Sequence, residues 1–246
     1  MAVMTIEFRS QILQKATRIK VVWNQNATPP YPTFYLLHGL SDDESIWTRR
    51  TSIERYVENY PFLIVMPDGG RSWYCDSRLG RYETFLTQEL VSFIDNLFPT
   101  RRQARYRAIG GLSMGGYGAL KLGLKHPRVY GSITAHSAAI GFTHWAGQNT
   151  DIPELPIILD GLDLDANDPY ALALRLTEHT RPAIYFDCGR SDFLYDDNQA
   201  YHAHLLKNRI PHIYRRFDGA HDWGFWDTHI QDALRFHMKV MALMKR

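Results

Sequence analysis

Short apolar runs rich in β-branched and aromatic residues alternate along the chain with segments whose apolar residues recur at helical spacing. The apolar runs predict strands at residues 5–15, 18–23, 33–37, 62–66, 106–109, 129–135, 184–188 and 213–217. The helical spacing predicts helices at residues 46–58, 82–97, 196–207 and 228–244, and another helix that ends at Lys125. Strands and helices therefore alternate through most of the sequence.

This alternation predicts an α/β fold in which a mostly parallel central sheet is covered by helices on both faces. The first two strands are expected to form an antiparallel hairpin at the edge of the sheet. Residues 138–168 are rich in Gly, Pro and Asp, which indicates an insertion or cap segment over the sheet. A chain of 246 residues with this pattern is expected to form a single domain over residues 1–246.

A G-x-S-x-G motif, Gly111-Leu112-Ser113-Met114-Gly115, lies between a predicted strand and a predicted helix. The motif alone is weak, but this position between a strand and a helix makes it specific. The serine of such a motif occupies a strained turn, and its neighbours must be small so that the chains can pass closely. Ser113 is therefore the candidate nucleophile.

A serine hydroxyl needs a base to remove its proton, and the base needs an acid to orient it. Asp192 follows the predicted strand 184–188, whereas its rival Asp187 lies inside that strand. His221 follows the predicted strand 213–217 in a glycine-containing loop before the last helix. The ends of parallel strands meet at one edge of a sheet, so these positions predict a triad of Ser113, Asp192 and His221.

The same reaction needs backbone N–H groups aimed at the negative oxygen that develops on the substrate. One is expected from Met114, the residue after the nucleophile, and the other from Leu40 in the loop after the strand 33–37. We therefore expect these two N–H groups to form the oxyanion hole.

The composition limits the partners and the cofactors. A net charge of +2 gives no reason to expect nucleic-acid or membrane binding, and no run reaches the roughly 18 apolar residues that a membrane helix needs. The N-terminal residues lack the apolar core of a signal peptide, and two cysteines form no disulfide framework, so we expect a cytoplasmic protein. Motifs for zinc, nucleotides or dinucleotides are missing from the sequence, so we expect no metal and no cofactor. Homo-oligomerisation is left open.

Four blocks in the right order resemble the esterase D group of α/β-hydrolases, which includes S-formylglutathione hydrolases and tributyrin-type, acetyl and feruloyl esterases. The blocks are residues 38–41, 66–70, 111–120 and 188–195. The resemblance implies an α/β-hydrolase fold and hydrolysis of short acyl esters, with the same five site residues in the same roles. Tyr117 stands where S-formylglutathione hydrolases usually have His, and Asp222-Trp223-Gly224 follows the candidate base, which disfavours a glutathione thioester as substrate.

The predicted function is a serine carboxylesterase that acts on small acetyl to butyryl or aromatic esters through an acyl-enzyme. Bulky residues near the strand ends are expected to line a short pocket: Trp73, Tyr74, Trp145, Trp223, Phe225 and Trp226. The alternatives are a thioester hydrolase, an acyltransferase that uses the same triad, and a binding protein on an inactive hydrolase fold. The complete triad disfavours the last of these.

Overall fold

The computed structural model describes residues 1–243, and its central feature is a sheet of eight strands. The strands in chain order are β1 Ala2–Ser10, β2 Lys15–Trp23, β3 Thr33–Leu37, β4 Leu63–Pro67, β5 Asp76–Ser77, β6 Gly80–Arg81, β7 Arg107–Leu112, β8 Ser132–His136, β9 Ala183–Gly189 and β10 Ile213–Phe217. Strands β5 and β6 form a separate small hairpin that the sequence did not predict.

The sheet has the order β1-β2-β4-β3-β7-β8-β9-β10. Pairing is antiparallel between β1 and β2 and between β2 and β4, and parallel from β4 to β10. The prediction of a mostly parallel sheet with an antiparallel hairpin at its edge is confirmed. The carboxyl ends of β3, β7, β9 and β10 therefore lie at one edge of the sheet, where the candidate site residues follow them.

The first predicted strand, 5–15, was too long because it includes the hairpin turn. The Glu89 carboxylate accepts hydrogen bonds from the Gln11 and Ile12 N–H groups, at 2.6 and 3.2 Å, and from the Ser10 hydroxyl. Gln14 then adopts a positive φ of 55°, which reverses the chain. A carboxylate 78 residues away from Gln11 in sequence thus fixes a turn that local alternation does not reveal.

Helices cover both faces of the sheet. They are α1 Ile46–Arg50, α2 Ile53–Val57, α3 Tyr82–Thr84, α4 Leu90–Leu97, α5 Met114–Lys125, α6 Phe142–Trp145, α7 Leu155–Leu159, α8 Pro169–Leu174, α9 Tyr195–Lys207 and α10 Trp223–Leu243. A π-helical turn, Phe85–Glu89, joins α3 to α4. One apolar core contains residues of α4, α5 and α9, and a second contains residues of α1, α2 and α10, so the two sets of helices pack on opposite faces.

Two predicted helices have different bounds in the structure. The helix predicted at 46–58 is interrupted at Thr51, whose backbone is extended, and the following Ser52 N–H donates instead to the Asp227 carboxylate at 2.8 Å. The final helix begins at Trp223 rather than at residue 228, and the predicted last residue, Met244, lies outside the described residues. Between residues 1 and 243, no helix combines the length and the hydrophobicity needed to span a bilayer.

The segment 138–168 consists of α6, a 3₁₀ turn at Ala146–Gln148, α7 and connecting loops. The Glu154 carboxylate pairs with the Arg71 guanidinium, and the Asn167 carbonyl accepts a 2.9 Å hydrogen bond from the Tyr117 hydroxyl of α5. The sequence did not predict α8, although Asp168 and Pro169 mark its start, because the Asp168 side chain accepts from the Tyr170 N–H. The segment thus lies beside α5 and the loop after β4.

Candidate active site

The turn between β7 and α5 holds Ser113 in a strained conformation, with φ +51° and ψ −116°. The chains around this turn approach very closely. A Cβ atom on Gly111 would lie 2.7 Å from the Gly115 carbonyl carbon, and a Cβ atom on Gly115 would lie 2.5 Å from the His38 carbonyl oxygen. Only glycine fits at these two positions, so the motif places the serine side chain at the carboxyl end of β7.

Ser113, His221 and Asp192 are joined by a continuous chain of hydrogen bonds. Ser113 Oγ lies 3.1 Å from His221 Nε2, and His221 Nδ1 lies 3.0 Å from each carboxylate oxygen of Asp192. Asp192 follows β9 and His221 follows β10, so the three side chains come from three different strand ends. The Asp192 side chain has no exposed surface, whereas 18% of the His221 side chain is exposed. The base can therefore reach a substrate while the acid is shielded from water.

The surroundings of Asp192 keep it ionised. Burial alone would raise the pKa of its carboxyl group, but hydrogen bonds from His221, the Leu194 N–H and Ser137 together hold that pKa below its usual range. A carboxylate at this position fixes the proton of His221 on Nδ1 and leaves Nε2 free to accept the serine proton.

Asp187, the rival acid, lies inside β9 as the sequence predicted. Its carboxylate is fully buried, accepts from His136 Nδ1 at 2.9 and 3.0 Å, and accepts from the Tyr185 hydroxyl at 2.9 Å. The structure does not bring Asp187 into hydrogen-bond contact with His221.

Two backbone N–H groups flank the serine. The Leu40 N–H lies in the loop after β3, and the Met114 N–H is the first of α5. Within residues 1–243, neither group donates a backbone or side-chain hydrogen bond to the protein. Unpaired N–H groups at the start of a helix and in a neighbouring loop are suited to bind a negative oxygen.

His38 anchors the loop that carries Leu40. Its Nδ1–H donates to the Gly39 carbonyl and its Nε2 accepts from the Gly69 N–H, each at 2.8 Å. Burial lowers the pKa of His38, which agrees with these roles because an accepting Nε2 must be unprotonated. The 3.9 Å approach of Asp68 is therefore not an ion pair. The loop is held by a neutral imidazole.

Two clefts meet at Ser113. The first, which we name the aromatic cleft, has a volume of about 370 Å³ and is lined by Leu40, Trp73, Ser113, Ala139, Trp145, Asn149, Ile152, Phe193, Leu194 and Asp197. The second, the charged cleft, has a volume of about 520 Å³ and is lined by Gly39, Leu40, Asp42, Arg50, Leu112, Ser113, Phe193, His221, Asp222, Trp223 and Trp226. A substrate centred on Ser113 can thus extend in two directions.

Four of the aromatic residues predicted to line a pocket do so: Trp73 and Trp145 in the aromatic cleft, and Trp223 and Trp226 in the charged cleft. The prediction for Tyr74 was wrong. Tyr74 has no exposed surface, and its hydroxyl donates to the His38 carbonyl at 2.8 Å, so it is a core residue below the oxyanion loop.

Phe225 also does not line either cleft. It is 5% exposed and packs between Phe217 and His229 on the inner side of α10. The helix starts at Trp223, so Phe225 points away from the side of α10 that carries Trp223 and Trp226 into the charged cleft.

Phe193 is a site residue that the sequence analysis did not identify. It is 76% exposed, its ring centroid lies 4.4 Å from that of His221, and it lines both clefts. The available signal was its position directly after the candidate acid. A large exposed aromatic ring beside the base is a surface that a bound substrate can cover.

We found no site for a resident metal ion in the described part of the chain, where no three His, Cys, Asp or Glu side chains come close enough together to hold one. The chemistry of the site is therefore derived from its serine, imidazole, carboxylate and backbone N–H groups.

Comparison with known proteins places the chain in a family. The Esterase family model matches residues 10–237. An acetyl esterase from Caldicellulosiruptor saccharolyticus is 31% identical to this chain, over 98% of this chain and 99% of that protein.

Two solved structures are similar over nearly the whole chain. The fluorophosphonate-binding serine hydrolase FphF from Staphylococcus aureus has a TM-score of 0.86 at 27% identity, covering 96% of this chain and 98% of its own. A ferulic acid esterase has a TM-score of 0.85 at 25% identity, covering 98% of both chains. The fold is that of the α/β-hydrolases, and the chain belongs to the Esterase family as a serine hydrolase of carboxylic esters.

Proposed function

We propose that Ser113, His221 and Asp192 form the catalytic triad of this esterase and that the Leu40 and Met114 N–H groups form its oxyanion hole. The observation that carries the proposal is the unbroken hydrogen-bond chain from Ser113 Oγ through His221 to Asp192. It ends beside two N–H groups that have no partner in the described protein.

In the first half of the reaction, Ser113 Oγ attacks the ester carbonyl carbon while His221 Nε2 accepts the hydroxyl proton. The carbonyl oxygen becomes negative and receives hydrogen bonds from the two N–H groups. His221 then gives the proton to the departing alcohol, and an acyl-enzyme remains. A water molecule, deprotonated by His221, attacks the acyl-enzyme and releases the acid.

The position of His221 assigns the two clefts. The leaving alcohol must receive its proton from His221, so it occupies the charged cleft, which His221 lines. The acyl group then occupies the aromatic cleft, which His221 does not line. Arg50, Asp42 and Asp222 offer hydrogen-bond donors and acceptors to the alcohol, which favours a polar alcohol over an aliphatic one.

The acyl group is proposed to be short, from acetyl to butyryl, or aromatic. Each methylene buried against Trp73 and Trp145 gains about 0.8 kcal/mol, which corresponds to about a fourfold rise in kcat/KM. A longer chain meets the polar side chains of Asn149 and Asp197 in the same cleft. An aromatic acyl group can instead stack on the tryptophan rings, and the similarity to a ferulic acid esterase supports this choice.

The working compartment is proposed to be the cytoplasm. Cys75 and Cys188 are both buried and free, which suits a reducing environment. Self-association is left to measurement, and sedimentation of the purified protein at two concentrations would give its oligomeric state.

The test of the triad uses Ser113→Ala, with Ser191→Ala as the control because Ser191 is an exposed serine near the site. Ser113→Ala should lower kcat on p-nitrophenyl acetate by about 10⁴-fold to 10⁶-fold with an unchanged circular dichroism spectrum. A fluorophosphonate probe should label Ser113 alone. Labelling of another serine, or a Ser113→Ala variant with full activity, would overturn the proposal.

The test of the acyl cleft is a series of p-nitrophenyl esters from acetate to decanoate, together with an aryl ester. We expect kcat/KM to peak at butyrate or below and to fall steeply by octanoate, with the aryl ester accepted. A kcat/KM that continues to rise through decanoate would show an open groove and contradict the assignment.

A further inference from the structure

Ser137, the residue directly after β8, combines complete burial with a strained backbone. Its exposure is zero and its φ is +46°, in the left-handed region that non-glycine residues rarely adopt. Its N–H donates to the Asp187 carbonyl at 2.8 Å, which holds the strained conformation in place. Residues kept in such conformations are concentrated at functional sites. The proposed triad gives Ser137 no role, although its hydroxyl faces that triad.

Trp226 connects Ser137 to the candidate base. The indole N–H of Trp226 donates to Ser137 Oγ at 3.1 Å. The indole ring of the same residue contacts the His221 imidazole edge to face, with centroids 4.9 Å apart and an interplanar angle of 89°. One side chain therefore touches both His221 and the hydroxyl of Ser137.

The Ser137 hydroxyl proton is directed to Asp192. An indole N–H can only donate, so Ser137 Oγ accepts from Trp226 and its own proton is free for another acceptor. The neighbours that share a hydrogen bond with this hydroxyl are the Asp192 carboxylate and the Cys188 thiol. A carboxylate is a much stronger acceptor than a thiol, and the hydroxyl has only one proton to give.

We propose that Ser137 and Trp226 are positioning residues of the triad: the Trp226 N–H orients the Ser137 hydroxyl, this hydroxyl donates to Asp192, and the Trp226 ring limits the rotation of His221. The inference rests on the proposed triad, because it assigns a purpose to contacts made by its acid and its base. Neither residue touches the reacting atoms through this chain of contacts, so their effect is on the orientation and charge of groups that do.

Removing the Ser137 hydroxyl should have two effects. Asp192 loses one of the donors that fix its carboxylate plane, so the His221 ring is held less firmly and kcat falls. The carboxylate also keeps more of its negative charge for the protonated imidazole, so the rise of kcat/KM with pH should move to higher pH. Binding of a small ester should change little, because Ser137 lines neither cleft.

The experiment compares Ser137→Ala, Ser137→Gly and Trp226→Phe with the wild type. Glycine suits a φ of +46°, so Ser137→Gly removes the hydroxyl while relieving backbone strain. Trp226→Phe removes the N–H and keeps an aromatic ring beside His221. The matched controls are Ser191→Ala, an exposed hydroxyl in the loop before Asp192, and Trp23→Phe, a tryptophan in β2 that lines neither cleft.

We expect both Ser137 variants to lower kcat on p-nitrophenyl acetate by about tenfold, with KM within twofold of the wild type and the midpoint of kcat/KM shifted to higher pH. Trp226→Phe should lower kcat by about threefold. The double variant Ser137→Ala/Trp226→Phe should be no slower than Ser137→Ala alone, because both changes break the same chain of contacts. In the proton NMR spectrum, the downfield resonance of the His221–Asp192 hydrogen bond should move in the Ser137 variants and not in the controls.

Ser137 variants that match the wild type in kcat, pH midpoint and downfield resonance would overturn the proposal, as would fully additive effects in the double variant. If Ser137→Ala fails to fold, Ser137→Gly and Trp226→Phe give the same two outcomes. Ser113→Ala, measured in parallel, separates the two proposals. An active Ser113→Ala means that the triad is wrong, whereas an inactive Ser113→Ala with normal Ser137 variants refutes the positioning role alone.

Discussion

His237 makes the stability of this esterase sensitive to acid. Its imidazole is fully buried in α10, where Nδ1 lies 2.8 Å from Ser132 Oγ and Nε2 lies 3.0 Å from Thr134 Oγ1. Burial, with a smaller contribution from the nearby His136, lowers the pKa of His237 from 6.5 to about 3. The folded protein therefore keeps this histidine neutral at pH values where the unfolded chain has already bound a proton.

The sign and the size of the effect follow from this difference. Between pH 6.5 and pH 3 the unfolded state binds one more proton at this residue than the folded state, so stability falls as the pH falls through that window. At 1.36 kcal/mol per pKa unit, the full loss is about 5 kcal/mol below pH 3, and about 3 kcal/mol of it is reached at pH 4. A loss of this size is a large fraction of the total stability of a typical domain.

The measurement is urea denaturation at pH 7 and at pH 4, followed by tryptophan fluorescence, for the wild type, His237→Phe and His179→Phe. Phenylalanine preserves the ring beside Phe34, whose centroid lies 4.6 Å from that of His237, and removes the titration. The hydroxyls that lose their partner cost about 1–3 kcal/mol at both pH values, so this cost cancels from the difference. His179 is exposed and serves as the control.

We expect the difference in the free energy of unfolding between pH 7 and pH 4 to be about 3 kcal/mol smaller in His237→Phe than in the wild type. His179→Phe should behave as the wild type. Equal differences in all three proteins would refute the reasoning, because they would mean that His237 binds its proton at the same pH in the folded and unfolded states.

Three further predictions concern the site and its support. Asp192→Asn should lower kcat by about 10³-fold to 10⁴-fold in steady-state kinetics, whereas Asp187→Asn should act on thermal stability instead, and the reverse pattern would show that the acid is misassigned. His38→Ala should lower kcat by about 10–100-fold with little change in KM, because the oxyanion loop loses its anchor; a change in KM alone would contradict this. Lys121→Met should destabilise the protein by about 3–5 kcal/mol in urea, because its ammonium is fully buried beside a carboxylate and a backbone carbonyl, while the exposed Lys239→Met should be neutral.

The sequence predicted the triad well because its signals are local. Each candidate is a polar residue that directly follows an apolar strand run, and parallel strands bring their carboxyl ends to the same edge without any further information. The structure accordingly places Ser113, Asp192 and His221 within hydrogen-bond distance. The same rule would have pointed to Ser137, which follows β8, but that residue was not considered because the rule was applied only to residues with a known part in the reaction.

The pocket residues depend on contacts that are distant in sequence, and here local reasoning failed. Trp73 and Tyr74 are adjacent and both have positive φ values, 53° and 55°. Trp73 faces the aromatic cleft, whereas Tyr74 enters the core, where its ring fills space that Gly69 and Gly118 leave free. A Cβ atom on Gly118 would lie 2.4 Å from the Tyr74 ring. The direction of Tyr74 is thus set by a glycine 44 positions later, which no local pattern reports.

The aromatic cleft and the triad differ in what holds them, and this difference separates rate from specificity. The triad stands on the ends of β7, β9 and β10, and those strands are fixed by the parallel sheet. The aromatic cleft depends on the segment 138–168, because the Trp73 ring stacks on Phe142 at 4.2 Å and meets Trp145 edge to face at 5.5 Å. That segment is tied to the rest of the protein through a few contacts such as Arg71–Glu154. Substitutions in it can therefore reshape the acyl site while the sheet continues to hold the nucleophile, the base and the acid in place.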